Sequence, residues 1–174
     1  MNAAAFFGAS RQCRAHAEVL LRALDNQESS YELRRALLRS VLYHLDGAFV
    51  MYLRGLGESY APGVGALIDI PRDLLAQLDK AGVNSPEAIE VVRLSNDPGS
   101  WLHSFREACR DLHNAGLPRP AAVFEKSDIK DQIQIEVYQD HGKERQQPTP
   151  ERLWAWLKGL RELFDRQSVL MAEY

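Results

Sequence analysis

Two arginine–histidine pairs are the residues of this sequence best suited to chemistry. Arg39-Ser-Val-Leu-Tyr-His44 sets a guanidinium and an imidazole five positions apart, and Arg11-Gln-Cys-Arg-Ala-His16 repeats the spacing. A guanidinium can steady a phosphate, and an imidazole can take the proton of a ribose hydroxyl. The helix geometry opposes this use. Five steps rotate by about 500°, so the two side chains of a pair leave an ideal helix about 140° apart. Convergence on one substrate would then take a dimer or a distorted turn. The expectation is that Arg39 is a solvated charge and His44 a residue at the edge of the core.

The Arg39–His44 spacing is similar to the signature of helical-bundle ribonucleases of the HEPN superfamily. That resemblance implies a metal-independent ribonuclease with Arg39 and His44 as its catalytic pair. No other constellation competes with it. His16, His44, His103 and His113 fall on three predicted helices, but Glu-x-x-His, His-x3-His and Cys-x-x-Cys are all missing, so no metal site and no cofactor are expected. Pro62-Gly-Val-Gly65 lacks the spacing of a phosphate-binding loop, and Gly-x-Ser-x-Gly does not occur. Asp46, beside Gly47, is expected on a helix surface. Cys13 and Cys109 lie on apolar faces and are read as small core residues. The sequence therefore leans away from an enzyme.

These residues must be positioned by helices. Phe6, Ala9, Cys13, Ala17, Leu20 and Leu24 recur at steps of three and four and define one apolar face. Ser29-Ser-Tyr-Glu32 reads as a capping box opening a second, long helix from Tyr31 to about Tyr60. Its stripe is Leu33, Leu37, Val41, Leu45, Ala48, Tyr52 and Leu56, widened by Leu38, Leu42, Phe49 and Leu53. Gly47 is expected to permit close helix approach, and Gly55 and Gly57 to fray the end. Short helices are expected near 70–81 and 86–96, the second opened by Ser85-Pro86. Asp97-Pro98 should open another, carrying Trp101, Phe105, Ala108, Cys109 and Leu112 on one face. Thr149-Pro150 starts the last, whose stripe is Leu153, Leu157, Leu160, Phe164 and Met171. Its tryptophans are read as core or dimer-face residues rather than a ligand cage.

Residues 117–148 differ. Charges of both signs surround Gln132-Ile-Gln-Ile-Glu-Val-Tyr138, where Ile133, Ile135 and Val137 alternate with polar residues as in a half-buried strand. Ala122-Val-Phe124 could pair with it as a ribbon. Such an edge can add to another sheet, which makes residues 121–140, with Tyr138, a candidate partner surface. Arg34, Arg35 and Arg39 form a second one, with Arg11 and Arg14 as candidates to join it.

The chain has 174 residues, 45% hydrophobic and 26% charged, which predicts one self-sufficient domain over 1–174. A net charge of −3 provides no broad field for a phosphate backbone, so nucleic acid is not the expected partner. The N-terminal apolar run is short and precedes Arg11 and Arg14, the reverse of a secretory signal. No stretch reaches the ~20 apolar residues of a membrane span. A cytoplasmic location follows as the expectation.

Leu42-Tyr-His-Leu-Asp-Gly-Ala-Phe-Val50, Asp97-Pro-Gly-Ser-Trp-Leu102 and the closing Trp-containing amphipathic helix occur together. In this the chain resembles a family of small helical proteins from pseudomonads and related gammaproteobacteria, known as a domain of unknown function. The resemblance implies a bacterial cytoplasmic helical protein and supplies no catalytic residues. The expected fold is mainly α: an up-down bundle of four principal helices, with short inserted helices and a small extended or β-ribbon segment before the last. The expected function is non-catalytic association with an unknown protein or with a second copy.

Overall fold

A computed structural model describes residues 2–26, 30–114 and 148–172 of the chain. The described residues form six α-helices: α1 (Ala3–Asn26), α2 (Tyr31–Tyr60), α3 (Pro71–Lys80), α4 (Pro86–Asn96), α5 (Trp101–Asn114) and α6 (Pro150–Ala172), with one 3₁₀ turn at Gly65–Leu67. The ribbon expected at Ala122–Phe124 and Gln132–Tyr138 lies outside them.

Local chemistry explains most of the ends. Ser85 accepts the Ala88 amide and precedes Pro86, where the missing N–H costs nothing. Gly82, at φ 68°, turns the chain after α3. Asp73 folds back to accept the amides of Asp69 and Ile70 ahead of α3. One expected cap and one expected start move, while α2 begins at Tyr31 as expected. The cap of α2 is Ser30, which accepts the Leu33 amide at 3.3 Å. Helix α5 begins at Trp101, because Asp97 accepts the Gly99 amide and its carbonyl that of Ser100, forming a tight turn first.

Four helices make an up-down bundle. Helices α1 and α2 run antiparallel: Phe7 meets Tyr52 and Gly55, Ser10 donates to the Ala48 carbonyl, Cys13 lies against Gly47, and His16 meets His44. The α2–α5 pair is antiparallel through Phe49 with Phe105 and Asp46 with His113. In α5–α6, Trp101 covers Gly159, Phe105 meets Trp156, and Arg152 reaches Ser104. The circuit closes between α6 and α1, where Arg14 lies over Phe164, Arg161 pairs with Glu18, and Trp154 donates to Asp25. Helices α3 and α4 are the short insertions, packed against α2 and α5 and bonded to α6 through Gln167. The core runs along α2, where Val41, Leu45, Ala48, Phe49, Leu53 and Leu56 are fully buried. Trp156 is in this core, with Trp101 and Trp154 packed against it.

Two glycine expectations reverse. A side chain at Gly47 would meet only Cys13 Sγ, at an ordinary 3.6 Å. Gly55 is where the helices close: a Cβ there would sit 2.6 Å from the Phe7 ring. Gly57 likewise receives Ile68, and α2 continues to Tyr60 without fraying. Leu33, expected in the stripe, is 46% exposed.

Candidate functional site

Asp46 is the hub of the most developed polar cluster among the described residues. It lies four residues after Leu42 and three before Phe49, so the helical repeat turns it toward α5 rather than outward. Its Oδ1 accepts Arg106 Nη1 at 2.8 Å and its Oδ2 faces His113 Nε2 at 2.8 Å. Arg106 and His113 stand seven residues apart on α5 and therefore share a face. An ionised carboxylate can only accept, so His113 Nε2 carries the proton and donates. Arg106 also lies over the Phe49 ring, 5.4 Å from its centroid. Between the two donors Cys109 is buried against the same carboxylate. Burial, then the charge of Asp46, pushes its thiol far above the usual range, so it stays protonated and inert. Side-chain exposure grades the cluster: 12% for Asp46, 19% for Arg106 and 57% for His113. The expectation of a surface Asp46 is thus overturned.

The exposed edge of this cluster borders an open hollow of about 490 Å³ between α2 and α5. Arg39, Ser40, Tyr43 and His44 line it from α2, Leu112 and His113 from α5. Arg39 and His44 therefore face one hollow within a single chain, although the helix sends them in different directions. The space lies between two helices, and α5 supplies the opposite wall. His44 also packs edge-on against His16, with ring centroids 5.2 Å apart. Partial burial, then the neighbouring His16, pushes the His44 imidazole below its ordinary pKa. The other Arg-x4-His pair forms no such site: Arg11 is exposed, and His16 serves as the ring against His44.

The arginine face takes a definite form. Tyr31, Arg35, Arg39 and Tyr43 recur every fourth residue and are all exposed, Tyr31 at 71% and Tyr43 at 63%. Arg34 is exposed beside them. Arg14 does not join this face, since it is half-buried over Phe164. Ile133, Ile135, Val137 and Tyr138 lie outside the described residues. Among the described residues no group of three or more His, Cys, Asp or Glu side chains could hold a metal ion. His103 is spent on structure, its Nδ1 2.9 Å from the Ser95 carbonyl.

A second buried network escaped the sequence reading. Tyr52 donates to Gln167 Oε1 at 2.7 Å, and Gln167 Nε2 donates to the Glu87 carbonyl and to Glu90. Glu87 accepts from Tyr60 and Ser85. These groups belong to α2, α4 and α6, and every side chain has a partner, so the network fixes packing rather than awaiting a ligand. Its only sequence signal was Gln167, three residues after Phe164 on the apolar face.

Fold and site together define an all-α, up-down bundle protein carrying a carboxylate-centred polar cluster beside an open hollow lined by Arg39, His44 and His113. The chain belongs to a family of unknown function, DUF6586, whose model matches residues 10–167. No curated protein and no solved structure matches it. No helix among the described residues is long and apolar enough to cross a membrane.

Proposed function

We propose that this is a non-catalytic protein of the bacterial cytoplasm that works by association, with a protein partner or a second copy docking on the outer face of α2. The observation that carries the reading is the exposed stripe of Tyr31, Arg35, Arg39 and Tyr43. Tyrosine and arginine are the residues most enriched at the energetic centres of protein interfaces. Their regular fourfold spacing offers one continuous strip about three turns long. The same helix buries its other face in the bundle, so the strip is rigidly held. The ribbon sequence at Ile133–Tyr138 is the second surface of this reading.

The test is site-specific photo-crosslinking in the native host, with the crosslinker at position 31 or 43 and, as a control, at the equally exposed Val19. A discrete adduct from 31 and 43 that disappears with Arg35→Glu supports the reading. Adducts indistinguishable from those of the control position overturn it.

A second reading is a HEPN-like, metal-independent ribonuclease using Arg39 and His44. It is favoured by the fact that both residues line one hollow. It predicts cleavage of single-stranded RNA in the presence of a chelator, lost in His44→Ala without loss of fold. An inactive wild-type protein would end it.

A further inference from the structure

We propose that the hollow between α2 and α5 is a binding site for a phosphate monoester, held by Arg39, His44 and His113. The argument begins with charge. The lining contributes one guanidinium, two imidazoles and two hydroxyls, and no carboxylate. Asp46, the acid that His113 contacts, is already engaged by Arg106 as well, so its charge is largely balanced. That engagement also orients His113. With Nε2 donating to Asp46, Nδ1 is the nitrogen left facing a ligand, and it donates to an anion once the ring takes a second proton. A cation has no acceptor cage here, whereas an anion meets Arg39, His44 and two hydroxyls on the α2 wall and, when its ring carries a second proton, His113 on the α5 wall.

The arrangement favours phosphate over carboxylate. The two coplanar oxygens of a carboxylate are satisfied by a single guanidinium fork. A phosphate monoester presents three terminal oxygens in a tetrahedron, which suits donors arriving from different directions. Arg39 and His44 leave α2 at widely different angles, and His113 comes from the opposite helix. Ser40 and Tyr43 add hydroxyls between them.

Size indicates an ester rather than the free ion. At ~30 Å³ per water, the hollow has room for roughly sixteen water-sized atoms, and its volume falls in the usual range of small-molecule sites. A phosphate fills about a third of this. Tyr43 and Leu112 give the remainder an apolar side on which an organic body can rest. That body could belong to a phosphorylated side chain or to a phosphorylated small molecule. The phosphate chemistry is common to both. This inference is independent of cleavage, and it differs from the association reading in that His44 and His113 lie outside the docking strip.

The experiment is a ¹H–¹⁵N NMR titration of the full chain with inorganic phosphate, N-acetyl-phosphotyrosine amide and glucose 6-phosphate. Unphosphorylated N-acetyl-tyrosine amide and glucose serve as controls. At least one ester should bind saturably, more tightly than inorganic phosphate, while its control does not. Affinity should fall about tenfold or more in Arg39→Gln and severalfold in His113→Gln. It should hold in Arg35→Glu, the variant that tests the docking strip. Which ester binds better identifies the source. The proposal is overturned if nothing saturates by about 10 mM, or if phosphate binds as well as its esters. It also fails if Arg39→Gln and His113→Gln, both verified as folded by their spectra, bind like the wild type.

Discussion

Replacing Asp46 by alanine tests whether this carboxylate is foremost the anion of Arg106. The substitution removes the acceptor of two charge-assisted hydrogen bonds and leaves the guanidinium, 19% exposed over Phe49, without a counter-charge. Breaking one partner out of a buried pair costs about 3–5 kcal/mol. Arg106 retains some solvent, which brings the expected loss to about 2–3 kcal/mol. His113→Ala removes a bond at a ring that is 57% exposed, so about 0.5–1 kcal/mol should suffice. Arg106→Ala should resemble Asp46→Ala, because it strips the buried carboxylate of its counter-charge and leaves it only the His113 hydrogen bond. The double variant should be less damaged than the sum, with a coupling of about 1.5 kcal/mol. For a domain stable by about 5–15 kcal/mol these losses are measurable without unfolding the protein. Urea denaturation at neutral pH, followed by tryptophan fluorescence and far-UV circular dichroism, reads them directly. The reasoning fails if His113→Ala costs as much as Asp46→Ala, or if the double variant is additive.

Other predictions concern packing and pH. Gly159→Ala should destabilise by about 1–3 kcal/mol, since the new Cβ would stand 3.1 Å from three atoms of the rigid Trp101 ring system. Gly47→Ala, with ordinary space around it, should instead stabilise by up to about 1 kcal/mol; thermal melting compares the two. Tyr52→Phe should cost about 1–2 kcal/mol by leaving buried Gln167 Oε1 without its donor, measured by the same denaturation. Acid should weaken the fold in two windows. His44 is held below its ordinary 6.5, so the folded state favours the neutral ring; that contribution is present above 6.5 and is lost as pH falls below it. Glu18 is held below its ordinary 4.5 by hydrogen bonds from Arg22 and Arg161, so its contribution is present above 4.5 and lost below. Stability against pH should flatten in the upper window in His44→Gln and in the lower window in Glu18→Gln.

What was legible in the sequence was whatever depends on neighbours along the chain. Ser85-Pro86 set the start of α4 because a cap and a missing amide act within one turn. The span of α2 followed from an uninterrupted periodicity, and its burial from the widened stripe. The shift of its cap from Ser29 to Ser30 is a one-residue error between two equally competent serines. What was not legible depends on a partner far away in the chain. Gly47 and Gly55 carry the same intrinsic cost in a helix. They differ only because the aromatic ring of Phe7 arrives at Gly55 and the small Cys13 at Gly47. Asp46 was misplaced for the same reason. Its polarity argued for the surface, and its partners, 60 and 67 residues away, were invisible.

The candidate site extends this logic. Rotation about one helix axis correctly separates Arg39 from His44, and from that alone convergence required a dimer or a distorted turn. The conclusion does not follow for a hollow between helices. Such a space is bounded by an arc of one helix and closed by another, so residues far apart in angle can be its two ends. Here the closing wall is His113, turned by Asp46; sequence reasoning weighed His113 only as a metal ligand and placed Asp46 on a helix surface. The hollow is therefore a property of the α2–α5 pairing. A substitution that repacks that pairing, such as Phe105→Ala at its buried centre, should remove any ligand affinity of the hollow while leaving Arg39, His44 and His113 all present. A Phe105→Ala protein that still folds, by circular dichroism, and binds as before would mean that α2 alone makes the site.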